Sequence, residues 1–71
     1  MAITNTQVEK LLTGHHVFSY LNFSMLIVRM KMLYMKNPSP DTLSNCAKEI
    51  TGFLEKFKTG MGADYALIEK L

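Results

Sequence analysis

Residues 17–37 carry two apolar stripes, and a chain of 71 residues has little with which to cover both. Phe18, Leu21, Met25, Val28, Met32 and Met35 recur at alternating spacings of 3 and 4, the repeat of a helix that packs on another helix. Tyr20, Phe23, Ile27, Met30 and Tyr34 follow the same rhythm two residues out of phase, about 200° away at roughly 100° per residue. The stripes face opposite ways on one long helix, and each needs cover. Residues 22–25 and 28–32 also alternate polar with apolar, as a strand would. Against a strand, the whole segment passes without a Gly, a Pro or a turn pair, far beyond the usual length of roughly 5–6 residues, and Leu and Met are better helix formers.

The run Asn37-Pro38-Ser39-Pro40-Asp41 punctuates the chain. Pro38 lacks the amide that would continue a helix and biases Asn37 away from helical dihedrals. Ser39 suits a new N-cap, Pro40 a first helical position that needs no donor, and Asp41 a first turn that meets the positive end of the helix dipole. A connection this short folds the next helix back on the last, which predicts a long antiparallel helical hairpin over about 16–37 and 40–58. The second arm is one-sided, with Leu43, Cys46, Ala47, Ile50, Phe53, Leu54 and Phe57 on one face. Gly52 interrupts it at a cost of roughly 1 kcal/mol against Ala, explained either by close approach of another backbone or by tolerated variation.

Short helices flank the hairpin. Thr6 and Glu9 have the spacing of a capping box, with Asn5 or Thr6 as N-cap, and Val8, Leu11 and Leu12 form the stripe of a two-turn helix that Gly14 ends in a left-handed residue. Thr59-Gly60-Met61-Gly62 ends the second long helix, and residues 63–71 suggest a last short one that packs through Tyr65, Leu67, Ile68 and Leu71. No repeat or linker divides the sequence, so residues 1–71 read as a single all-α domain.

Composition enters through stability. With 48 % hydrophobic and 20 % charged residues the chain has a globular balance, yet a core of this size supplies only about 3–5 kcal/mol without a disulfide, a metal or a partner subunit. Cys46 is alone and forms no intramolecular bridge, and the mixed polar residues at the start lack the pattern of an export signal, so a cytoplasmic location is expected. The apolar stretch 17–35 holds Arg29 and Lys31 and falls short of the roughly 20 apolar residues of a bilayer span.

A net charge of +2 with a single arginine, Arg29, argues against a nucleic-acid partner, because duplex binders cluster their cations and rely on the planar guanidinium. Arg29, Lys31 and Lys36, approached across the hairpin by Lys56 and Lys58, read as a solvated rim. His15-His16 has no Cys or carboxylate at metal-ligand spacing, and adjacent helical residues point about 100° apart, so no metal is assigned. Cys46 lies on an apolar face, where a thiol is protonated and inert. Glu9, Asp41, Glu49, Glu55, Asp64 and Glu69 are scattered and form no acid–base pair, and Gly60-Met61-Gly62 lacks the lysine of a phosphate loop. No catalytic residue and no cofactor site is assigned.

Met25, Met30, Met32 and Met35 crowd into one half of the long helix, as core filler or as an adaptable binding surface. The expected function is a non-enzymatic interaction module, an adaptor, small chaperone or assembly subunit. It would associate as a four-helix-bundle-like homodimer through Tyr20, Phe23, Ile27, Met30 and Tyr34, with another protein as a further possible partner. The alternative is a small dimeric DNA-associated regulator, which lacks a face rich in Arg or Asn to read base edges.

Overall fold

Four helices follow one another in the computed structural model, which describes residues 2–71: α1 (Asn5–Thr13), α2 (Leu21–Lys36), α3 (Pro40–Met61) and α4 (Ala63–Glu69). There is no strand among the described residues. α1 lies against both α2 and α3, α2 packs on α3, and α4 packs on α3.

α1 is capped one residue before the nearer expected place, Asn5, and two before the other, Thr6. Thr4 is its N-cap: the Thr4 hydroxyl accepts from the Gln7 amide at 3.2 Å, and the Gln7 side chain accepts from the Thr4 amide at 2.9 Å. The capping box is real but is built from Thr4 and Gln7 rather than Thr6 and Glu9. Contacts with α3 choose it: the Ile3 amide donates to Thr51 Oγ1 at 3.0 Å, the Asn5 side chain donates to Ser44 Oγ at 3.0 Å, and Ile3 is buried. Val8, Leu11 and Leu12 face inward as their spacing requires.

Gly14 ends α1, though in an extended conformation (φ −88°, ψ 174°) and not a left-handed one. Its lack of a side chain serves close approach, since a Cβ there would fall 2.6 Å from His16 Nε2 and 2.9 Å from the Lys10 carbonyl oxygen. Residues 14–20 then run without helix, so α2 begins at Leu21, later than the hairpin reading placed it. The reason lies far along the chain. Asp64, buried near the start of α4, accepts from the Ser19 amide at 2.8 Å and the Tyr20 amide at 2.6 Å. It holds the backbone that enters α2, at the N-cap residue Tyr20 and the residue before it, while the Tyr20 side chain makes no cap hydrogen bond of its own.

The corner into α3 follows the sequence closely. Ser39 is the N-cap and its hydroxyl accepts from the Thr42 amide at 3.2 Å, with Pro40 at the first helical position and Asp41 in the first turn. α3 continues past Lys58 to Met61, which is buried, so Gly60 lies inside the helix. The break falls at Gly62, whose φ of +52° and ψ of −117° suit a residue without a Cβ.

The interior is one cluster from all four helices. Val8 and Leu11 of α1, Phe23 and Ile27 of α2, Ile50 and Leu54 of α3, and Ile68 of α4 meet in it. Aromatic rings extend it at one end. Phe18 meets Phe23 edge to face at 4.9 Å, Phe23 lies 5.4 Å from Phe53, and Phe53 lies 4.6 Å from Phe57. The accessible surface is 4626 Å², against about 4500 Å² expected for a folded monomer of this mass. The single chain is therefore closed to the usual extent, and surface that stays apolar is not the result of an expanded fold.

Candidate functional site

α2 has two opposite apolar faces, and the fold covers one. Phe23, Ile27 and Met30 are buried, and Tyr20 and Tyr34 pack half-buried against the same cluster. These five were the residues assigned from sequence to a partner subunit, and the structure places them against the chain's own helices. Tyr20 lies 5.9 Å from Phe53 of α3, and the Tyr34 hydroxyl lies 3.4 Å from Glu9 Oε2 of α1. The correction has a physical basis. Periodicity shows two stripes but does not rank them, whereas folding preferentially hides the stripe with the aromatic and β-branched side chains, which remove more area from water.

The stripe left bare is Leu21, Met25, Val28, Met32 and Met35, whose members are 55–80 % exposed. Val17 precedes it in the loop, fully open to solvent, and Leu33 lies at its margin. Scattered exposed apolar residues are ordinary, but a continuous row along four turns of one helix is not. Three of the five are methionines, whose unbranched, polarizable side chains adapt to varied partners.

Beside this row, a groove of about 900 Å³ runs between α2 and α3. Its apolar lining comes from Leu26 and Leu33 of α2 and Phe53 and Phe57 of α3. Arg29 and Lys36 stand on the α2 side and Lys48 and Lys56 on the α3 side, with Glu49 as the one carboxylate. The solvated rim read from sequence is therefore partly assembled: Arg29, Lys36 and Lys56 are in it, Lys48 joins them, and Lys31 and Lys58 do not. Lys31 reaches back to the Gly14 carbonyl oxygen at 3.5 Å, and Lys58 sits over the Tyr65 ring at 5.3 Å. Lys48 was missed as a rim residue because its position depends on how α2 lies on α3. Gly52 also lines the groove, and a Cβ built on it would meet nothing within 4 Å. No backbone of this chain approaches it, so close packing within the fold is not its explanation.

The remaining candidates for chemistry lie apart. His15 is exposed, while His16 Nε2 sits 3.3 Å from the Lys10 carbonyl oxygen. Cys46 is buried at the base of the groove, and burial pushes its thiol pKa up, with the Glu49 carboxylate adding to the shift. Tyr34 is likewise raised, by desolvation first and then by the charge of Glu9 and the hydrogen bond to it. Among the described residues no three His, Cys, Asp or Glu side chains gather as a metal site would require. No helix of the described residues is long and apolar enough to cross a membrane.

Fold and surface together define a small four-helix chain with a bare methionine-rich helix face and an adjoining basic-rimmed groove. No protein-family model, curated protein or solved structure matches it.

Proposed function

We propose that this chain is a small non-catalytic helical interaction module that associates with a second copy of itself through the outer face of α2. The observation that carries this reading is the row Leu21, Met25, Val28, Met32 and Met35, left in water by a chain that is otherwise closed. From their fractional exposures these five residues present on the order of 700 Å², close to the roughly 800 Å² that each partner contributes to a standard interface. Their spacing suits knobs-into-holes packing of α2 on its symmetry mate, which would make a helical bundle across a two-fold axis. Such a dimer differs from the one read from sequence in two respects: it uses the opposite stripe of α2, and each monomer keeps its own core, so that association adds a second apolar layer.

The test is light scattering behind size exclusion over a dilution series, with the double variant Met25→Asp, Val28→Asp alongside. The parent chain is expected as a dimer at tens of micromolar and the variant as a monomer of unchanged helix content, because both positions are exposed in the folded chain. A parent chain that stays monomeric throughout, or a variant that still dimerises, overturns the reading.

A further inference from the structure

We propose that the groove between α2 and α3, which borders the outer face of α2 along Leu26, Arg29 and Phe53, is a docking site for an acidic amphipathic helix of another protein. Charge is the first argument. The groove lining holds four cations, Arg29, Lys36, Lys48 and Lys56, and one carboxylate, Glu49, a local net charge of +3. The whole chain carries +2, so everything outside the groove sums to −1. Positive charge is thus concentrated around an apolar floor, and the complementary ligand has an apolar ridge flanked by Asp or Glu.

Shape is the second. The lining spans α2 from Leu26 to Asn37, about three turns or on the order of 16 Å. An extended peptide would bring unpaired backbone amides and carbonyls, and there is no strand edge among the described residues to receive them. A helix satisfies its own backbone and offers only side chains, the usual way of filling a groove between helices. Gly52 fits the same occupant. It lies in the lining of the groove with open space where a side chain would project, which lets a partner approach α3 closely. A flat lipid surface reaches the outer row of α2 but does not fill a concavity.

The test uses a fluorescein-labelled peptide of about 16 residues with Leu at i, i+3, i+4 and i+7, Glu on the flanking positions and Ala elsewhere, followed by anisotropy. Its controls are the same peptide with Lys in place of Glu, and vesicles containing phosphatidylglycerol. The acidic peptide is expected to bind and the basic one not, with affinity falling as salt rises. Lys36→Glu with Lys56→Glu should weaken binding about tenfold or more through like-charge repulsion. Gly52→Leu should weaken it by a similar factor by occupying the groove, about tenfold, while helix content is kept. Leu21→Ser with Met35→Ser, uncharged changes at outer-row positions that do not line the groove, should leave peptide affinity unchanged. The proposal is overturned if the acidic peptide does not bind, if both peptides bind alike, or if Gly52→Leu binds as the parent does. Loss of binding in the Leu21, Met35 variant would also overturn it, by moving the peptide to the outer face. Binding to anionic vesicles in preference to the peptide would make the surface a membrane contact instead.

Discussion

Replacing Asp64 with Ala removes a single carboxylate on a seven-residue helix, and the structure assigns it an effect on a different helix 44 positions away. Its two oxygens receive the amides of Ser19 and Tyr20, at 2.8 and 2.6 Å, and the residue is 3 % exposed. A hydrogen bond to a charged group contributes about 1.5–3 kcal/mol, and both amides are only partly buried, so water recovers some of the loss and the lower end applies. Loss of a negative charge from the first turn of α4 adds a few tenths of a kcal/mol. The sum is about 3–4 kcal/mol, against roughly 4–10 kcal/mol for the whole stability of a chain this size. At about 4–8 °C per kcal/mol, the midpoint of thermal unfolding should fall by some 12–30 °C. Asp64→Asn should be nearly as damaging, because its amide nitrogen would face one of the two N–H donors. Amide hydrogen exchange supplies the local readout: Ser19, Tyr20 and the first turn of α2 should lose protection before the rest of that helix. The control is Asp41→Ala, an exposed first-turn carboxylate on α3, expected to cost less than about 1 kcal/mol. An Asp64→Ala protein within about 0.5 kcal/mol of the parent by urea unfolding would refute the argument that this carboxylate starts α2.

Three further outcomes follow from burial and backbone geometry. Phe23→Ala should cost about 3–5 kcal/mol and Met32→Ala less than about 0.5, because the first is fully buried and the second lies on the outer face; equal losses in chemical denaturation would show that the two faces of α2 had been exchanged. Gly52→Ala should raise stability by up to about 1 kcal/mol, since its Cβ meets nothing, and Gly62→Ala, at φ +52°, should lower it by about 1–3 kcal/mol. The Cys46 thiol should react with a disulfide reagent only as fast as the chain opens. Because its folded pKa is raised, its stabilising contribution is complete below the unfolded value near pH 8.5 and is lost as pH climbs through the folded value. Cys46→Ala should therefore flatten the alkaline limb of stability against pH, and an unchanged limb would remove the thiol as its cause.

Much of the helical architecture was legible because its causes are local. Ser39, Pro40 and Asp41 specify a helix start through their own amides and charges, and α3 begins where they place it. The one-sided face from Leu43 to Phe57 is buried or half-buried throughout. The errors arise where distant groups compete. Thr4 displaced Thr6 as the cap because Ile3 and Asn5 bind Thr51 and Ser44 of α3. α3 ends within the run Thr59-Gly60-Met61-Gly62 as expected, but three residues beyond Lys58, because Met61 still had a place in the core and Gly62 offered the positive φ for the break. The approach of Lys56 to Arg29 and Lys36 was legible, but the concavity and the place of Lys48 in it were not, since both depend on how α2 packs on α3.

Spacing, capping residues and proline placement, all acting within a few residues, were enough to specify four helical segments and to show that α2 has two apolar sides. Which side is covered was decided by tertiary packing, because α1 and the rings of α3 hide more area against Phe23, Ile27 and the flanking tyrosines than against a row of methionines. Where α2 begins was decided the same way, by a carboxylate that no local pattern connects to it. Helix formation answers to neighbours along the chain, whereas the exposed face, the groove and the buried cap depend on groups that only the folded chain brings together.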